Sequence, residues 1–104
     1  MGGLITDNTV SNIHVVSAAA TAWENTTKYV RLIQWVDDAG DIADDSTLVL
    51  NINNVTLTTK LQLAANVSNY GVVVWQIGPF NPGIPVHTLK SVTQGTGIVH
   101  IYTD

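Results

Sequence analysis

The chain has no cysteine, only four basic residues, and no apolar run approaching the length of a membrane span. Without cysteine there are no disulfide scaffolds, thiolate zinc sites, iron–sulfur clusters or cysteine nucleophiles, and the composition fits assembly in a reducing compartment. The cations Lys28, Arg31, Lys60 and Lys90 stand against eight acids, for a formal charge of −4. A duplex contact neutralises roughly six or more phosphates, so nucleic acid is not an expected partner, and neither is an anionic membrane. Charged residues make up 12% of the chain, about half the usual share. A chain so poor in charge either covers much of its surface with a partner or stays in solution through Asn, Ser and Thr. This one is rich in all three, so both routes stand. Met1-Gly2-Gly3-Leu4 lacks a basic stretch followed by an apolar one, so no secretory signal is expected. MGGLIT matches the short myristoylation pattern, but no polybasic second signal accompanies it. No window sustains apolar residues at helical spacing.

What is present is Val, Ile and Thr in short runs broken by Asn, Gly and Asp, the composition of strands and turns. At 104 residues the chain is one domain, long enough to bury a core without disulfides. Residues 1–12 are small and weakly patterned and read as an extended arm. Ile13 to Ala22 reads as a first strand, with a turn at Trp23-Glu24-Asn25-Thr26. Thr27 to Val36 alternates Tyr29, Arg31, Ile33 and Trp35 with Val30, Leu32, Gln34 and Val36. Neither face is purely polar, which predicts a central strand. Thr47 to Ile52 and Val55 to Leu63 are joined by Asn53-Asn54, residues that tolerate the left-handed backbone of a two-residue hairpin. Leu48, Leu50 and Ile52 are expected inward on the first of these, and Val55, Leu57, Leu61 and Leu63 on the second. Ala64 to Asn69 connects to Tyr70–Ile77, the most apolar run, expected to be buried on both faces. Gly78 and Pro79 end it, and the loop through Phe80, Pro82, Ile84 and Pro85 is stiffer than a turn requires. Val86–Val92 and Gly97–Tyr102 complete the set. The fold expected is all-β: an antiparallel β-sandwich, jelly-roll or Ig-like, of seven to eight strands over residues 13–104, with the arm at 1–12.

Five of the eight acids fall in one loop, Asp37, Asp38, Asp41, Asp44 and Asp45. Calcium wants carboxylates and carbonyls converging within such a loop; the bland reading is a solvated loop whose Asp side chains bond their own backbone. His14, His87 and His100 lie on three different strands, in none of the close spacings of a zinc site, and read as ordinary strand histidines. Trp35 and Trp75 read as core, whereas Trp23, at the expected turn, is a candidate ring for stacking on a sugar or a subunit. Asn25-Thr26-Thr27, Asn54-Val55-Thr56 and Asn66-Val67-Ser68 match the glycosylation pattern, as chance allows in a chain this rich in Asn and Thr. No spacing sets up a nucleophile, base and orienting acid, or a pair of hydrolytic carboxylates. No enzyme activity and no cofactor are expected.

The order TTKYVRLIQWVDDAGD, then a strand, then GIPVHTLKSVTQGTGIVHIYTD, resembles the small cysteine-free all-β virion proteins of tailed bacteriophages, over roughly Lys28 to Asp104. The resemblance implies a capsid decoration (cement) protein, made in the host cytoplasm and located on the exterior of the capsid. It would be non-enzymatic and would pack against copies of itself, as a trimer, and against a major capsid protein. The contact residues expected are Leu4, Ile5 and Val10 of the arm, Trp23, and Phe80, Pro82 and Ile84 of the proline loop. The alternative is a carbohydrate-binding or host-adhesion module of a phage head or tail fibre.

Overall fold

The computed structural model describes residues 12–40, 42–61 and 71–104. Over these residues the protein is all-β with no helix, and its strands are β1 (Asn12–Val16), β2 (Ala20–Asp37), β3 (Thr47–Ile52), β4 (Val55–Lys60), β5 (Val72–Ile77), β6 (Ile84–Thr93) and β7 (Ile98–Thr103). All pairings are antiparallel and join the strands in one hydrogen-bonded sheet of order β1-β7-β2-β6-β3-β4, with β5 also paired to β2.

The sheet is built on β2. Along one edge it meets β7, from Val30↔Thr103 to Val36↔Ile98. Along the other it meets β6, from Ala20↔Ser91 to Val30↔Ile84, and then β5, from Ile33↔Ile77 to Asp37↔Val72. β5 and β6 are thus two halves of one antiparallel path, interrupted by residues 78–83 as they pass Arg31 and Leu32. The Phe80 N–H donates to the Arg31 carbonyl at 2.7 Å, which anchors this excursion. Gly78 makes the close approach possible: its φ is 106°, and a Cβ there would lie 2.8 Å from the same carbonyl. The Gly78–Pro79 and Asn81–Pro82 peptide bonds are both cis.

Several local expectations change. β1 and β2 are separated by bends at 17–19, so Ile13–Ala22 is not one strand. The expected turn at Trp23–Thr26 is instead a bulge inside β2: the register with β6 shifts between Glu24 and Lys28, and Asn25 takes φ 61°. A second bulge, where the register with β7 steps from Val30↔Thr103 to Leu32↔Tyr102, exchanges the two faces of the strand. Val30 is buried before it and Ile33, Trp35 and Asp37 after it, whereas strict alternation would have kept Val30 and Ile33 on opposite faces. The strand expected to be buried on both faces, Tyr70–Ile77, is peripheral: among the described residues β5 pairs with β2 alone, and Val72 and Val73 are 46% and 39% exposed. Val55 is exposed rather than inward. Asn12, assigned to the arm, begins β1 opposite Thr103. The rest of the arm, Asp41, Leu63 and the 64–69 connection lie outside the described residues. The Asn53-Asn54 hairpin forms as expected, with φ 54° and 64°. Asn53 then ties it to β6: its Nδ2 donates to the Pro85 carbonyl and its Oδ1 accepts the His87 N–H.

One apolar cluster takes in Val16, Trp23, Val30, Ile33, Trp35, Leu48, Leu50, Val86, Leu89, Val99 and Ile101, with Ile42 and Leu61 from the loops. Each such side chain contributes about 1.5–3 kcal/mol by leaving water. Both buried indoles satisfy their N–H, Trp23 at the Val86 carbonyl and Trp35 at the Thr96 carbonyl. Gly97 makes room for Trp35: a Cβ there would sit 2.7 Å from its Nε1 and 2.6 Å from Ile42 Cδ1. Gln94, also buried, donates from Nε2 to the Val16 and Gly97 carbonyls and accepts the Ser91 hydroxyl at Oε1. It joins the ends of β1 and β6 to the start of β7.

Replacing Gln94 by Leu strands these partners, and the unfolding free energy is expected to fall by about 1–3 kcal/mol. Gly97→Ala, which adds strain at a positive φ of 89° to a clash with Trp35, is expected to cost on the order of 1–3 kcal/mol. Denaturant midpoints at unchanged m-value are the readout, and unchanged midpoints would show that neither contact matters.

Candidate interaction surface

The two outward faces of the sheet differ in chemistry. Around β4, β3, β6 and the start of β2, most positions that alternate with the core are polar, among them Thr58, Thr56, Asn51, Lys90 and Thr21, with Val49 and the exposed Val92 as apolar exceptions, and Lys90 is paired to Glu24 at 3.3 Å. That is the polar outer side expected of an antiparallel sheet. The β1-β7-β2-β5 part breaks the rule. Residues opposite each other across antiparallel strands share a face, which gives the row Ile13, Tyr102, Leu32 and the row Val15, His100, Gln34, Gln76. A third row is Ile98, Val36, Val73. None of these side chains is charged, and Ile13 and Val15 are 52% and 59% exposed. Gln34 Nε2 bonds Gln76 Oε1 at 3.2 Å, and the rings of His100 and Tyr102 meet edge to face at 6.4 Å. At one end, Arg31, Leu32, Tyr102 and Pro79 line a cleft of about 160 Å³ where the proline loop meets this face. The adjacent Arg31–Asp104 pair, at 3.5 Å, is solvent-exposed.

Beside β1 lies a second feature. His14 turns inward, its ring 5.0 Å from that of Trp23, and Lys28 Nζ lies 5.7 Å from the Trp23 ring centroid. Trp23 is 7% exposed, so it is a core residue, and no exposed ring stands at this position for a sugar.

The other candidates distribute as follows. Phe80 is half-buried, Pro82 is exposed and Ile84, at the start of β6, is partly exposed. Leu4, Ile5 and Val10 lie outside the described residues. In the acidic loop, Asp37 is buried and its carboxylate accepts from the loop backbone, Oδ1 from the Gly40 N–H at 2.7 Å and Oδ2 from the Ile42 N–H at 3.3 Å. Asp38 and Asp44 are exposed, and Asp45 faces Lys60 at 3.9 Å. Among the described residues no three His, Asp or Glu side chains come together. His14 and His100 are on adjacent strands but opposite faces, and His87 is exposed on β6 with Nδ1 2.9 Å from Thr88 Oγ1. Sequence reading missed Ile13, Val15, Val73 and Gln76 as surface residues. The signal was there in the mixed faces of Thr27–Val36, which had been attributed to burial.

No protein-family model, no curated protein and no solved structure matches this chain; its function is therefore argued from its own surface chemistry.

Burial first, and then the charge of Lys28, hold the His14 imidazole below its ordinary value of 6.5. The folded state therefore resists protonation more than the unfolded chain does. This contribution to stability is whole above pH 6.5 and is lost as pH falls through the lower, folded value. The denaturant midpoint is expected to fall between about pH 7 and about pH 5, and His14→Gln is expected to flatten the decline. An unchanged slope in the variant would assign the decline to other groups.

Proposed function

We propose that the chain is a non-enzymatic assembly module that binds other protein surfaces through the uncharged outward face of β1, β7, β2 and β5. The observation that carries this reading is the exposure of Ile13 and Val15 on a face with no charged side chain. An antiparallel sheet face left to water is normally polar, and contiguous exposed apolar surface marks contact with a partner. Depletion of charge is also the compositional mark of an interface core. The proline loop, at the rim of this face beside Tyr102, extends the same surface.

Within that class, we read the protein as a virion structural protein of the capsid decoration (cement) type. It would sit on the capsid exterior and contact copies of itself, as a trimer, and a major capsid protein. The cysteine-free, charge-poor, all-β chain and the order of its C-terminal segments support that reading. We also infer that the sheet closes face to face as a sandwich, jelly-roll or Ig-like. Val30, Trp35, Val86 and Val99 are fully buried although no helix covers them among the described residues, so another part of the same sheet is the available cover. The carbohydrate-binding alternative loses its main support with Trp23 in the core.

Ile13→Asp and Val73→Asp place a charge on the face without touching the core. Each is expected to abolish stoichiometric association with particles, or self-association measured by sedimentation, while leaving the melting temperature within a few degrees of the parent. Association at unchanged affinity in both folded variants would refute the proposal.

A further inference from the structure

The three rows of the uncharged outward face run in a definite order. Along β2 the row through Gln34 lies between the row through Leu32 and the row through Val36. Successive rows are two residues apart, roughly 6.4–6.8 Å. The outer rows are apolar apart from the Tyr102 hydroxyl, whereas the middle row carries the Gln34 and Gln76 amides and the His100 imidazole.

Such a face matches itself. Sheets that pack face to face lie about 10 Å apart with their strands within about 30° of each other. A two-fold axis relating two such sheets lies in the plane of contact. With that axis along the middle row, each outer row of one copy covers the opposite outer row of the other, and the amide row meets itself. Apolar side chains then meet apolar ones. Gln34 Nε2 donates to Gln76 Oε1 within one copy, which leaves Gln34 Oε1 as an acceptor and Gln76 Nε2 as a donor for the amides of the other.

Shape selects this axis. At the Leu32 end is the cleft of about 160 Å³ between Arg31, Leu32, Pro79 and Tyr102. At the other end Val73, opposite Val36, stands 39% exposed. An axis along the middle row seats Val36 and Val73 of each copy at the cleft of the other. The second in-plane axis, along β2, sets cleft against cleft and leaves both unfilled, which forfeits packing. Charge favours the same occupant. The chain carries −4, so two copies meet most readily where neither presents charge, and a basic partner would be recognised by acids that this face lacks.

We propose that the outward face is an isologous two-fold interface with a second copy of the chain, with Val36 and Val73 of each copy seated at the other's cleft and the Gln34–Gln76 amides on the axis. The proposal rests on the assembly reading and names the occupant of its face; three-fold and capsid contacts then fall on other surfaces.

Because the chain has no native cysteine, single replacements report the geometry. With a short bis-maleimide, full-length Gln34→Cys protein is expected to cross-link to itself. A mixture of Leu32→Cys and Val36→Cys is expected to cross-link several-fold more than either alone. Leu32→Cys joining itself as efficiently as it joins Val36→Cys would overturn the proposal, and so would equal yield from Val55→Cys, exposed on β4. In sedimentation the parent protein is expected to dimerise, and Val73→Asp to raise the dissociation constant by about tenfold or more, because it buries an unpaired charge. A parent protein that stays monomeric at every concentration, while Ile13→Asp still loses association with particles, would refute the two-fold contact and leave the assembly reading standing. Folded Ile13→Asp and Val73→Asp proteins that keep every association would sink both.

Discussion

A strand of 18 residues has to find hydrogen-bond partners along both edges, and the organisation of this protein follows from how β2 does so. No single strand here is long enough to cover either edge. On one side β6 and β5 share it in succession, with the proline loop stepping out where they meet; on the other, β7 covers the C-terminal half. The bulges in β2 are where these partial pairings are reconciled. The one at Arg31 has the largest consequence, because it sets which residues of the second half face the core. Trp35 is buried through it, and Gly97 and the Thr96 carbonyl are arranged around that indole.

The same arrangement accounts for the surface. Once Ile33, Trp35 and Asp37 turn inward, Leu32, Gln34 and Val36 turn outward, where they align with Ile98, His100 and Tyr102 of β7 and with Ile13 and Val15 of β1. An apolar residue on one of these strands would need no explanation. Three strands in register, each carrying uncharged side chains on the outer side, make a surface whose burial against a partner removes apolar area from water without stranding any charge.

Much of the fold was legible in the residues. The β-branched runs, the Asn53-Asn54 hairpin, and the inward Leu48 and Leu50 follow from local chemistry and strand periodicity. Trp23 was not legible as a core residue, because a bulge at Asn25 and a turn at Asn25 draw on the same residue preferences. Nor was the peripheral place of β5, because a run of valines can be buried on both faces or lie at an edge with the same sequence. The uncharged outward face was half legible: its residues had been noticed as apolar on both sides of a strand, a pattern that burial and partner contact produce alike.

The sequence by itself therefore determined the class of the protein: all-β, cysteine-free, poor in charge, with strands whose period and turns are set by neighbours one to four positions away. Only the tertiary structure decided which strand is central, where the bulges reverse the faces, and which apolar side chains meet water. Those outcomes depend on pairings between residues up to 91 positions apart, as between Asn12 and Thr103, and a register changed by a single residue at a bulge moves every side chain after it to the other face of the sheet.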